Sequence, residues 1–205
     1  MATLTFPLFP LSTVLFPDGV LPLQIFEVRY LDMISRCIAD DSPFGVVLLT
    51  HGSEVRQPES VERFLPSGTL ASVQETTASK PGLLQLVCRG GARFRVLASE
   101  RRPNGLWMGT IELLAGDHAV PIPAELQGAA DALDRVLSSL HDVPPKRWPV
   151  APPFQLDDCG WVANRWCDLL PLPYQQKHQL LMLDNPLIRL ELMHDVLEDH
   201  GLITS

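Results

Sequence analysis

The chain has no Gly-Lys dipeptide, no C-x-x-C pair and only three lysines, Lys80, Lys146 and Lys177. A phosphate-binding loop needs Gly-Lys-Ser or Gly-Lys-Thr at a helix start, where backbone amides and the lysine cradle the phosphates, so that ATPase chemistry is excluded. The four cysteines, Cys37, Cys88, Cys159 and Cys167, stand far apart. That spacing fits neither a zinc knuckle nor a dense disulfide framework, and reduced, buried thiols are expected. No basic residue precedes Arg29, and Pro7, Pro10, Pro17 and Pro22 interrupt the first apolar stretch, a pattern unlike a secretory signal. No apolar run approaches the roughly 20 residues that span a bilayer. These absences together point to a cytoplasmic protein with no membrane partner.

What is present is enough apolar material for a core: 46% of the 205 residues are hydrophobic. The 24 acidic and 16 basic side chains leave a net charge of -8, which repels a phosphate backbone and disfavours nucleic acid as a partner. Residues 1–120 carry 10 basic and 12 acidic side chains and residues 121–205 carry 6 and 12, so the acidity belongs mainly to the second part.

The opening, from Leu4 to Pro17, mixes bulky apolar residues with closely spaced prolines. Proline gives no ladder donor, so short strand pieces at an edge or bend are expected there. After the Asp18-Gly19 turn a strand is expected over Val20 to Phe26. From Glu27 the period changes: Tyr30, Met33, Ile34, Cys37 and Ile38 share one face of a helix. Phe44 to Thr50 is a continuous apolar run and reads as a strand covered on both faces, and residues 51–67 read as an excursion loop. Four further strands are expected over Gly68 to Thr76, Leu83 to Cys88, Arg93 to Ser99 and Leu106 to Leu114. About six short strands and one early helix imply a small, partly closed barrel, because closure removes free edges.

After Gly116 the pattern is helical. Leu126, Ala129, Ala130, Leu133, Val136, Leu137 and Leu140 make one apolar stripe. Asp142 to Phe154 holds five prolines and is a stiff connector without regular structure. Asp157 or Asp158 caps the next helix, which stops before Pro171; Pro173 opens another. Asn185-Pro186 starts the last helix, with Ile188, Leu192, Met193, Val196 and Leu197 facing inward and Gly201 as its stop. The expected fold is α+β: a barrel over residues 1–118, then an α-helical subdomain over 119–205.

The linked order of several motifs is similar to one family. Pro7-Leu-Phe-Pro-Leu11, Val14-Leu-Phe-Pro17, Leu21-Pro-Leu-Gln-Ile-Phe-Glu27 and Arg29-Tyr30 resemble the start of the amino-terminal, substrate-binding domain of Lon proteases. Phe44-Gly-Val-Val47, Gly68-Thr-Leu-Ala71, Gly91-Ala-Arg-Phe-Arg-Val96 and Leu169-Leu-Pro-Leu-Pro173 continue the resemblance, in order, over nearly the whole chain. The resemblance implies a barrel of the pseudouridine-synthase-and-archaeosine-transglycosylase (PUA-like) type and a helical subdomain. It also implies a non-catalytic role in binding unfolded or exposed apolar protein segments, as an adaptor or holdase, with a Lon-type protease as a candidate partner. No cofactor is implied, and neither the Lon ATPase nor its protease dyad motif is expected here. Some PUA-like relatives bind RNA, which is the alternative reading.

Candidate sites weigh as follows. The resemblance makes Phe26 and Tyr30 family hallmarks, and Trp148, among prolines and next to Lys146 and Arg147, is the best exposed aromatic anchor; these three are the candidate peptide-binding residues. A free barrel edge is the physically sensible place for an extended peptide. Of the other tryptophans, Trp107 and Trp161 are possible stacking platforms, and Trp166 falls on an apolar stripe and reads as core. Glu191 and His194 form the chain's E-x-x-H, but a di-metal bundle needs a second copy, so no metal site is expected; a His194–Glu198 pair is the simpler reading. Arg93 and Arg95 could grip an anion, but cross-strand pairing with acidic neighbours is preferred. Ser12, Ser67 and Cys88 lie in no nucleophile elbow, and no catalytic residue is assigned.

Overall fold

The computed structural model describes residues 4–55, 61–80, 82–140 and 149–203. The chain divides into two units, Met1–Ala115 and Gly116–Ser205. The first holds the six strands of the described residues: β1 Leu4–Leu11, β2 Val20–Ile25, β3 Phe44–His51, β4 Arg63–Lys80, β5 Leu83–Arg101 and β6 Trp107–Leu113. Helix α1, Val28–Ala39, follows β2. β1 runs parallel to β3, and the β3–β4, β4–β5, β5–β6 and β6–β1 pairs are antiparallel, which closes a five-stranded ring. β2 hangs outside that ring, paired among the described residues only with the first half of β5.

Three sequence expectations are corrected by this topology. β1 is not an edge strand: Leu4 to Leu8 pair with β6, and Leu8 to Leu11 pair with β3. Its two partners are staggered, so Pro7 and Pro10 each have a ladder on one side only, which leaves room for the amide each lacks. The stretch from Arg63 to Ser67 is strand, not loop. His51 pairs with Arg63, Leu49 with Phe64 and Val47 with Gly68, and Pro66 falls in the register shift between the last two. Finally, Leu83 to Cys88 and Arg93 to Ser99 belong to one long strand, because β4 pairs across the Gly90-Gly91 junction. The first half of β5 serves β2 and the second half β6.

Inside the barrel unit one apolar cluster gathers Phe9, Ile25, Tyr30, Ile34, Phe44 and Leu86 around α1, and a smaller one joins Leu8, Val47, Leu70, Phe94 and Ile111. The α1 stripe is buried at Tyr30, Met33, Ile34 and Cys37 as its spacing predicts, but Ile38, in the final turn, is half exposed.

The second unit holds a 3-10 turn at Ala124–Leu126 and helices α2 Gln127–Ser139, α3 Cys159–Leu169, α4 Tyr174–Leu181 and α5 Pro186–Asp199. α3 is buried on every side from Cys159 to Cys167, so it is the unit's central element. Asp158, not Asp157, caps it by accepting from Trp161 N. Asn185 caps α5 through Leu187 N and Ile188 N, with Pro186 in the first turn. At its far end Leu202 N donates to Leu197 O while Gly201 takes a left-handed φ of 67°.

The buried stripe of α5 differs from the expected one. Pro186, Arg189, Leu190, Met193 and Leu197 face inward, and Ile188 and Leu192 are each 44% exposed. Both stripes have helical spacing; what selects between them is Arg189, whose guanidinium has buried partners waiting for it. It meets both carboxylate oxygens of Asp117, Asn164 Oδ1 at 3.0 Å and the carbonyls of Leu180 and Leu183.

Candidate functional site

The sequence places Leu21, Leu23 and Ile25 on one face of β2 and Pro22, Gln24 and Phe26 toward the other, and the burial follows that alternation. The β2–β5 register runs unbroken from Val20↔Arg89 to Ile25↔Leu84, straight through Pro22↔Val87. A proline inside an intact antiparallel ladder must hold a position whose amide points away from the partner. Gln24 shares that parity, so its N–H and C=O lie along the outer edge of β2. Among the described residues no strand pairs with that edge.

A groove of about 280 Å³ runs beside it. Consecutive residues from Pro22 to Glu27 line one side; Phe9, Leu11 and Tyr30 contribute the apolar floor, and Glu54 and Val55 the opposite rim. Residues of both pleat faces of β2, Leu23 and Ile25 on one and Pro22, Gln24 and Phe26 on the other, line the groove. Phe26, 53% exposed, stands at the mouth.

Tyr30 is fixed from two sides. Its ring stacks on Phe9 with centroids 3.9 Å apart and an interplanar angle of 24°, and the Arg29 guanidinium lies 4.4 Å from its centroid. Burial pushes its hydroxyl well above the usual tyrosine range, so the side chain is neutral at any physiological pH. Arg29 is itself buried and fully engaged: it donates to Glu27 at 3.1 Å, to Gly105 O at 2.8 Å and to Glu62 at 2.9 Å. Glu62 also accepts from Trp107 Nε1 at 2.7 Å. The groove floor is therefore held by a satisfied polar network, which keeps its shape before any ligand arrives. On the far rim, the Ser12 amide donates to the Glu54 carboxylate.

Phe26 and Tyr30 both line the groove, one exposed and one buried in its floor. Trp148 lies outside the described residues. Trp161 and Trp166 are core residues, Trp166 donating to Ala129 O at 2.9 Å, and Trp107 is half-buried against Phe64. Arg95 reaches Glu112 across the β5–β6 ladder at 3.9 Å, the expected cross-strand pair. Arg93 departs from expectation: it is buried and donates to Ala115 O. All four cysteines are free and buried, and burial pushes the thiols of Cys88 and Cys167 up to about 12, the wrong direction for a nucleophile. His194 lies 4.0 Å from Glu198, and with Asp195 the three could converge; Glu191 is not part of that group. The sequence reading missed Glu54 and Val55, which no local pattern ties to β2. Among the described residues, no helix is long and apolar enough to cross a membrane.

The family of the ATP-dependent protease La (LON) substrate-binding domain matches residues 5–199. The chain belongs to that family. Its relatives include Lon protease 2 of Myxococcus xanthus, 33% identical over 92 residues, which are 44% of this chain and 11% of that protein. Another is Lon protease of Anaeromyxobacter dehalogenans (strain 2CP-C), 26% identical over 178 residues, 85% of this chain and 21% of that protein. The chain therefore spans about a fifth or less of the length of these curated relatives. Among solved structures, a Lon N-terminal domain protein from Xanthomonas campestris superposes with a TM-score of 0.71 at 32% identity, covering 93% of this chain and 96% of that one. The N-terminal domain of the Mycobacterium avium complex Lon protease superposes with a TM-score of 0.61 at 17% identity, covering 96% and 99%, a likeness of fold. Both place the Lon N-terminal architecture over nearly the whole chain.

Proposed function

We propose that this Lon-family domain binds exposed apolar stretches of other proteins in extended form, as an added strand on the outer edge of β2, without transforming them. The observation that carries the reading is the outer edge of β2, which no described strand pairs, lying along a preformed apolar groove. Backbone groups of Gln24 would pair with the incoming strand regardless of its sequence, and the groove beside Phe26 would take every second side chain. A volume of about 280 Å³ suits one or two side chains of a strand and not a folded partner. The family description, a substrate-binding domain, supports the same reading. An adaptor or holdase role, with a Lon-type protease receiving the cargo, follows as the biological setting.

The test is fluorescence polarisation of a labelled eight-residue peptide of alternating Val and Thr, amidated at its C terminus. Phe26→Ala removes the exposed anchor and should weaken binding about fivefold or more. Gln24→Pro removes an outward amide while leaving the β5 ladder intact, and should do the same. A peptide N-methylated at alternate amides should bind only in the register that spares the paired face. If Gln24→Pro and N-methylation leave affinity unchanged, strand addition is wrong.

A further inference from the structure

A second hollow in the barrel unit shares no residue with the groove. It measures about 460 Å³ and lies between α1 and the turn joining β5 to β6. From α1 it is lined by Asp32, Met33, Arg36 and Cys37, a single stripe at three- and four-residue spacing. The turn contributes Arg102 and Leu106, and is pinned by Arg102 N to Leu106 O and Gly105 N to Arg102 O, each at 2.8 Å.

The charges of this hollow are unevenly satisfied. Arg29, at the start of the stripe, is neutralised by Glu27 and Glu62. Arg36 and Arg102 are exposed, and neither guanidinium has a hydrogen bond or ion pair with any described residue. Among the described residues of the lining Asp32 is the one carboxylate, so the guanidiniums of Arg36 and Arg102 leave this described lining net positive on a chain of charge -8. Beneath them the lining is apolar: buried Met33 and Leu106, with Met108 of β6.

We infer that this hollow binds the C-terminal end of a polypeptide whose last residue is apolar. A chain end carries a carboxylate and a side chain on the same Cα, which matches two guanidiniums set over a thioether and leucine floor. Guanidinium forks are the best-matched protein donors for a carboxylate, and such charge-assisted bonds are about twice as strong as neutral ones. The volume falls within the range of small-ligand sites, enough for one or two residues. A nucleic-acid backbone would bring charge with nothing for the apolar floor.

The experiment is methyl NMR of the full chain labelled at methionine, titrated separately with N-acetyl-Ala-Leu as free acid, the same dipeptide as amide, and octanoate. The free acid should shift the Met33 and Met108 methyls in a saturable manner and leave Met182 and Met193, which lie in the helical unit, unmoved. The amide should bind about tenfold more weakly or worse, and Arg36→Gln and Arg102→Gln should each cost about tenfold for the acid. Both arginines are exposed, so the variants retain the fold. Equal binding of acid and amide, or no shift at Met33 and Met108, overturns the proposal. Octanoate binding as tightly as the peptide acid overturns the assignment to a chain end. Since the described lining of the groove beside β2 contains no methionine and its own test peptide is amidated, failure here and failure of strand addition are read separately.

Discussion

At the scale of single residues, the helical unit is organised around a charge. Arg189 is 1% exposed and its five donors meet Asp117, Asn164 and two backbone carbonyls that end neighbouring segments. Removing it leaves the Asp117 carboxylate and the Leu180 and Leu183 carbonyls without their shared donor in a buried setting. Arg189→Ala should therefore cost about 3–5 kcal/mol in urea unfolding, the range for breaking a buried pair on one side. A loss under about 1 kcal/mol, the scale of a surface pair, would mean the network contributes only orientation. In the barrel unit the sensitive residue is Gly68. A Cβ there would sit 1.9 Å from the Val46 carbonyl oxygen, a backbone atom that cannot move without opening the β3–β4 ladder. Gly68→Ala should lower the thermal midpoint by an amount equal to about 1–3 kcal/mol or more of overpacking. An unchanged midpoint would show that β3 can shift to accommodate a methyl group.

At the scale of elements, side-chain caps mark where α3 and α5 begin, and both were readable in the sequence. Asp158 illustrates how a cap gains weight from tertiary structure: Oδ1 accepts from Trp161 N at 2.8 Å while Oδ2 accepts from Val120 N at 3.0 Å. Asp158→Ala should cost close to the upper end of the capping range, about 2 kcal/mol, and Asp158→Asn, which keeps one acceptor oxygen, roughly half of that; urea unfolding of the two variants separates them. The same local logic made α3 and the Asn185-Pro186 start of α5 legible, because apolar period and cap chemistry lie within a few residues of each other, whereas α1 and β3 were legible from their apolar pattern alone. It failed where the deciding partner is distant. Nothing near Arg189 announces Asp117, 72 residues away, so the choice between two equally periodic stripes on α5 was invisible. The staggered partners that make β1 an interior strand, and the continuity of β5 across Gly90-Gly91, are likewise products of pairing with β3, β6 and β4. Of the candidate site, Phe26 and Tyr30 were legible through the family resemblance, whereas Glu54, Val55 and the Arg36–Arg102 hollow depend on a fold that brings loop and helix together.

At the scale of the whole molecule, charge is divided unequally between the two units. Residues 1–115 hold 10 basic and 11 acidic side chains, a balance of -1, and residues 116–205 hold 6 and 13, a balance of -7. Within the acidic unit, Asp168 pairs with the fully buried Arg165 at 2.9 Å, yet burial outweighs the pull of Arg165 and Lys177 and pushes its carboxyl up to about 6. An unfolded aspartate titrates near 3.9, so between about pH 4 and 6 the folded state holds more protons than the unfolded state. Stability then falls as pH rises through that window, the reverse of an ordinary salt-bridged carboxylate. The shift amounts to at most about 3 kcal/mol, from roughly 1.4 kcal/mol per pH unit. Relief of self-repulsion among the surplus carboxylates acts with the same sign. The helical unit should thus have a higher urea midpoint at pH 5 than at pH 7, followed at the indole N–H of Trp166, which is hydrogen-bonded inside that unit. In Asp168→Asn the titrating group is gone, and the pH 5 to pH 7 difference should shrink to the part that self-repulsion supplies. If wild type and variant show the same difference, Asp168 is ionised throughout and its ion pair with Arg165, not its burial, governs the site.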